Sequence, residues 1–402
     1  MIDEAISQSE TSLELNLDGF SLVDGGPFNT VLRHAGLAAP DGLPTWRSAG
    51  AIALLAWLPP GALVVAQSLL ENRFAGWEFF TDFTVYTRYV IAVFVLVAAE
   101  RMADSRLLSL VRQFRDAGII GKGNLHEFSS LLDRAGRQCR SWLPEAVIAV
   151  LVLAWSGYSE QLAVQQAGSS WDGAVQAGTV SLSWAGQASR FWSTPLFLFL
   201  ALRWVWRFLI WSNLLVRVSR LRLQLTPLHP DGSAGLGFLA IYPSIFNGII
   251  FSLSCVVASS VLKELSLQQH SEQSVWLALL VWLLFLLLLF LGPLLAFIRP
   301  LIEVREKAWL EYGRLASRHH LAFHRKWVSG NRDGAELMGS PDPSSVSDLN
   351  ASVEAAQSIR VFPVNLFAVV QLLVVACLPL LAVVLKEIPL SELTKWLLSA
   401  IF

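Results

Sequence analysis

Arg203 and Arg207 stand four residues apart within Phe191–Trp211, a stretch otherwise built almost entirely from apolar residues. At helical spacing they share one face, flanked by Trp204, Trp206 and Trp211. A guanidinium pair of this kind can grip carboxylates, hold an anionic ligand or guard a path. Three acids are placed to answer it. Glu145 opens Trp142–Tyr158, Glu100 follows Phe83–Ala99, and Glu303 follows Trp276–Ile298. Their matching depths predict one network of Arg203, Arg207, Glu145, Glu100 and Glu303. It is either a static lock between helices or a gate or ligand site.

Other polar positions are weaker. Arg88 lies in Thr81–Tyr89 among hydroxyls, with Asp82 or Glu160 as its expected partner, and reads as an outer polar rim. Ser244, Gly248, Ser252, Cys255 and Ser259, with Asn247 beside them, follow helical spacing. They suit close helix packing or a hydroxyl-lined path. Asn365, Gln371 and Cys377 interrupt the last apolar stretch and are candidates for pore rings or for hydrogen bonds to a neighbouring helix. His229, Asp231, Gly232, Gly235 and Gly237 form a turn-rich loop that could fold into a backbone nest for an anion or lipid headgroup. Its G-x-x-G-x-G order reverses the dinucleotide fingerprint, so no cofactor is expected. His320 and His324 share a helix face, but bases surround them, and no metal site is expected. No nucleophile sits with a base, so the chain reads as a non-enzyme with no catalytic residues.

The elements that must carry these residues are membrane helices. The composition is 54% hydrophobic and 15% charged, well under the roughly 25% charged of soluble domains. Mean hydropathy is +0.52. Trp276–Ile298 runs 23 residues without a charge, about 34 Å as a helix and enough for a hydrocarbon core of about 30 Å. Seven spans are expected: Ala49–Leu70, Phe83–Ala99, Trp142–Tyr158, Phe191–Trp211, Gly237–Leu262, Trp276–Ile298 and Val361–Leu385. Breaks are expected at Pro59-Pro60, Pro243, Gly292-Pro293 and Pro379. Within this frame Arg203 lies about 18 Å below the outer boundary and Arg207 about 24 Å.

Lys and Arg divide 22 against 5 between the two sets of loops, which puts the N-terminus inside and the C-terminus outside. The organisation is then a cytosolic segment 1–48, spans one and two in 49–100 and cytosolic amphipathic helices in 101–141. Spans three to six in 142–298, a cytosolic helix and linker in 299–360, and span seven with an outer tail in 361–402 complete it. The acidic start, Asp3 to Asp24, offers no signal peptide. Cys139, Cys255 and Cys377 suggest no disulfide framework. A net charge of −1 gives no reason to expect nucleic acid. The fold class is therefore all-α and polytopic.

Leu228–Leu239, the Gly339–Leu349 stretch ahead of Phe362-Pro363, and the tail Pro389–Phe402 resemble an uncharacterised group of bacterial integral membrane proteins. That resemblance implies a bacterial inner-membrane location and carries no activity with it. The layout of seven spans, inner N-terminus and broken last helix resembles insect chemoreceptor channels. There the last helix lines a tetrameric pore and inner extensions form a cytosolic anchor. The family's Thr-Tyr…Gln-Phe pattern is missing from the last helix here. The expected function is thus a homo-oligomeric passive pore or ion channel with the seventh helix near its axis, its ion or small solute unspecified. The alternatives are a secondary transporter that binds an anionic solute through Arg203/Arg207, and a non-conducting assembly or sensor protein.

Overall fold

The structure, a computed structural model, describes residues 21–387 except 22, 40–41, 72–75, 168, 177–178, 267–271, 330–336 and 338. The acidic stretch to residue 20, Arg73, most of the linker after Ser329, the tail with Lys395 and the side chain of Glu160 lie outside them.

Seven helices are long and apolar enough to cross a membrane. A short amphipathic helix, α1 (Gly26–His34), precedes them. Then follow α2 (Trp46–Glu71), α3 (Phe83–Asp116), α4 (Leu125–Arg140) and α5 (Trp142–Ala167). Next come α6 (Trp184–Val218), α7 (Asn247–Ser266) and α8 (Glu272–Leu291). The last three are α9 (Ile298–Trp327), α10 (Asp342–Gln357) and α11 (Leu366–Glu387). α3 and α9 continue well past their apolar stretches because mixed charged and apolar residues at helical spacing keep one face packed and the other wet.

Four expectations need correction. Pro59 and Pro60 sit inside an unbroken α2, and Pro379 inside an unbroken α11. Gly292-Pro293 does change the helix, into a 3₁₀ segment at Gly292–Phe297 that joins α8 to α9. The fifth span starts at Asn247; Gly237–Ile241 is 3₁₀ and Tyr242–Ile245 a separate turn, because Pro243 lacks the N–H a longer helix would need. The seventh starts at Leu366, not Val361, since Pro363 holds the preceding backbone extended.

The Ser/Gly/Gln-rich segment between α5 and α6 is folded. β1 (Ser169–Ser170), β2 (Gly173–Gln176) and β3 (Thr179–Leu182) form an antiparallel sheet in that order, with Val175 opposite Val180. Trp171 seats this sheet on the bundle by packing edge-on against Phe79, ring centroids 5.0 Å apart.

α6 is the central post. It packs on α3, α4 and α5, while α7 packs on α3 and α11. Trp204 donates its indole N–H to the Leu96 carbonyl at 2.8 Å. Phe208 of α6 and Phe290 of α8 interlock with Phe246, with centroids 5.1–5.5 Å apart. The far end of α3 is tied in by Phe114, which packs on Phe238 and Phe297, and the loop after it by the Gln224 N–H bonded to the Ile119 carbonyl at 2.8 Å.

Candidate functional site

The two arginines of α6 meet Glu100 of α3 and Glu145 of α5 in one buried cluster. Arg203 donates from Nη1 to Glu100 Oε1 at 2.5 Å and from Nε to Glu145 Oε1 at 2.8 Å. Arg207 Nη1 lies 3.2 Å from Glu100 Oε2. Arg203 and Glu100 side chains are each 1% exposed. Two positive and two negative groups leave the cluster formally neutral, which is how four charges persist away from water.

The remaining donors are answered by residues that periodicity did not flag. Arg203 Nη2 bonds Asn29 Oδ1 at 2.8 Å, and its guanidinium sits 4.6 Å from the ring centroid of Phe28. Arg207 donates to the Val23 carbonyl, which also accepts from Asn29 Nδ2 at 3.0 Å. Glu145 Oε2 accepts the Phe28 N–H at 3.0 Å. The segment around α1 is therefore sewn onto the cluster. Its entry depends on Gly26, whose φ of +83° suits glycine and where a Cβ would lie 2.4 Å from Glu145 Oε1.

Glu303 is outside this cluster. The 3₁₀ segment Gly292–Phe297 resets the helix phase, and Glu303 pairs instead with Arg299 at 2.9 Å on an exposed face. Cys139 of α4 is buried close to both arginines. Burial pushes its thiol up to about 11, although Arg207 and Arg203 pull the other way. It stays a thiol at neutral pH.

The polar group around Asp82 is organised differently from the expectation. Asp82 pairs with Lys263 of α7 at 3.0 Å, not with Arg88, and accepts the Trp171 indole N–H at 3.0 Å and the Thr84 hydroxyl at 2.6 Å. Burial raises its pKa, but Lys263, Thr84 and Trp171 outweigh that and hold it below the usual value. Arg88 lies half-buried in a π-helical stretch, Tyr86–Ala92. A second π-helical turn, Ser189–Ser193, faces it through the Tyr89 hydroxyl, which is 2.6 Å from Ser189 Oγ and 2.9 Å from Thr194 Oγ1. Neither π turn leaves a signature in hydropathy.

The other candidates are spent on local structure. Ser244 and Ser259 donate to the carbonyls of Ile241 and Val256. Ser252 reaches the Ala92 carbonyl at 3.4 Å, and a Cβ on Gly248 would meet Ala99 at 3.3 Å, so that face packs against α3. Asn247 and Gln371 are half-buried, as is Cys377. Asn365 caps α11 by accepting the Ala368 N–H at 2.8 Å. The nest is filled by its own acid: Asp231 accepts the N–H groups of Ser233, Gly235 and Gly237 at 2.8, 3.1 and 2.7 Å. His229 Nδ1 lies 3.0 Å from Asp231, and Gly232 accepts the Arg360 N–H at 2.8 Å. Burial raises the Asp231 pKa, but the N–H groups of Ser233, Gly237 and Gly235 outweigh it and hold the carboxyl low. His319 bonds Ser345, and His324 bonds Ser329. Among the described residues no cluster of acids, His and Cys could hold a metal.

No protein family matches this chain, and neither a curated protein nor a solved structure matches it.

Proposed function

We propose that this is a multi-pass protein of a bacterial inner membrane, N-terminus inside and C-terminus outside, that assembles with copies of itself and works as a passive pore between them. The observation that supports assembly is on α9. Trp309, Leu310 and Leu321 are 61%, 61% and 58% exposed. At helix rise they stand about 17–35 Å beyond Ile298, past the reach of the hydrocarbon. Large apolar side chains in water call for a protein cover. α11 adds an outward stripe of Leu366, Val370, Val374, Leu378, Leu381 and Leu385. A pore lined by that stripe gates by wetting and drying.

A path through one protomer along the arginines is disfavoured. Each guanidinium already faces a carboxylate, so the cluster offers an anionic solute no spare charge. This weighs against the anion-transporter alternative and favours conduction at the interface between copies.

The test combines size and current. In nanodiscs the wild type is expected to be a closed oligomer, with Val374→Cys cross-linking between copies. Trp309→Ser/Leu310→Ser is expected to fall to monomers and lose bilayer conductance. A monomeric wild type overturns the reading. An oligomer that carries no current leaves a non-conducting assembly protein in its place.

A further inference from the structure

Asp172 is the one ionisable residue between Leu162 and Ser189, and it sits in the tight turn that joins β1 to β2. It is 6% exposed, and its Oδ1 has no hydrogen-bond partner among the described residues. A buried carboxylate in that state is costly unless a base answers it. The charged groups that face it are Lys263 of α7 and Asp82 at the start of α3. On the same elements Glu78 and Glu264 are exposed, and Arg88 and Arg190 are half-buried.

One base thus serves two acids, and Asp82 has taken it. Asp82 accepts the Thr84 N–H at 2.9 Å, the Thr84 hydroxyl at 2.6 Å, the Trp171 indole N–H at 3.0 Å and Lys263 at 3.0 Å. Four donors fill the roughly four lone-pair sites of a carboxylate, so Asp82 is the ionised partner. With Asp172 ionised as well, the group would carry a net negative charge beside the Trp171 anchor, and one proton relieves it. Burial holds the Asp172 pKa above the ordinary value, against the pull of Lys263 and Ser170 and with a push from Asp82. Ser170 gives the proton a route, since it hydrogen-bonds the Asp172 side chain and lines a cavity of about 280 Å³ with Gln67, Ser181 and Ser183. The carboxyl itself is held in place. The Asp172 carbonyl accepts the Ser183 N–H at 2.9 Å, and a Cβ on Gly186 would lie 1.9 Å from that oxygen. Carrying the charge to water therefore means moving the turn.

We infer that Asp172 is a proton-binding site that latches the small sheet to the bundle. Protonated, it stays docked beside Asp82 and Lys263; ionised, it loosens the turn between β1 and β2. The latch depends neither on assembly nor on conduction. Below the ordinary carboxylate value of about 3.9, Asp172 is protonated whether docked or not, and the latch holds fully. Docking weakens as pH rises from there through the higher value of the docked state, and stays weakened above it. Asp82, whose carboxyl is held low, acts in the opposite sense and only in more acid solution.

Hydrogen exchange of the full chain in nanodiscs, read by mass spectrometry as protection factors between about pH 4 and about pH 9, tests it. Protection of the peptide spanning 169–182 is expected to fall with rising pH by up to about tenfold per pH unit, the limit for one linked proton, and then to level off. Asp172→Asn, a neutral isostere of the protonated acid, is expected to keep the acid-side protection at every pH. Asp172→Ala removes the acid without adding an amide and is expected to be equally flat. Peptides of α8 are expected to show no such slope in any variant, which also reports an intact bundle. A wild type without the slope overturns the inference. So does a slope that either neutral variant retains, since another group then carries the proton. So does an equal slope in α8, since opening of the whole bundle is then being read.

Discussion

Arg203→Met tests the energetics of the buried cluster directly. The substitution keeps length and flexibility but deletes the cation that touches both acids. Glu100 retains Arg207 at 3.2 Å, whereas Glu145 keeps only the Phe28 N–H at 3.0 Å. One buried carboxylate is left without a counter-charge, and Asn29 loses its donor. Breaking a buried pair from one side costs about 3–5 kcal/mol. Glu145→Leu alone is expected to cost a similar amount, because Arg203 then shares Glu100 with Arg207. The double variant Arg203→Met/Glu145→Leu restores neutrality, and replacing a buried pair by apolar groups is commonly neutral or better. It is therefore expected to lie within about 1 kcal/mol of wild type, giving a coupling of several kcal/mol. Reversible unfolding in mixed micelles, followed by tryptophan fluorescence, measures all four corners of the cycle. Single costs that simply add in the double variant would refute the account of a matched, interdependent cluster.

Two further predictions concern the flanking layers. Asp231→Ala is expected to loosen the loop by about 1–2 kcal/mol, as loss of a capping acid does, with faster amide exchange at Ser233, Gly235 and Gly237. Because its carboxyl is held low in the fold, the wild-type loop keeps this support above the ordinary carboxylate pKa of about 3.9 and loses it as pH falls through the lower folded value. Protection that vanishes near neutral pH would contradict this. Gly186→Ala places a Cβ 1.9 Å from the Asp172 carbonyl oxygen, where only backbone can yield. Overpacking of that kind costs about 1–3 kcal/mol, read as a lower melting temperature and faster proteolysis of the outer sheet; unchanged melting would rule the contact out.

The spans and the main charge cluster were legible because they rest on the same arithmetic. Depth along a helix follows from residue count, so Arg207, Glu145 and Glu100 could be placed near one level, with Arg203 one turn away, before any packing was known. Glu303 failed that arithmetic because a 3₁₀ segment advances the chain differently per residue and turned it to solvent. Asn29 and Phe28 were illegible for another reason. They lie in a nine-residue helix too short for a hydropathy signal, and their partners are 174 and 117 residues away in sequence. The same distance problem hid the Asp82–Lys263 pair, 181 residues apart. Asn365 looked like a polar ring because its cap role depends on where α11 begins, which Pro363 moved by several residues. The small sheet was hidden by its brevity, since strands of two and four residues are too short for a clear alternating signal.

The stitching of Val23, Phe28 and Asn29 to α6 imposes a timetable on biosynthesis. These residues leave the ribosome first, yet their fastening points on Arg203 and Arg207 are made some 175 residues later, at about 5–20 residues per second. The early segment must wait for roughly ten seconds or more while three long apolar helices are made ahead of its anchor. This early-made segment is thus among the last to find its place, and it fastens across the helix ends like a clasp.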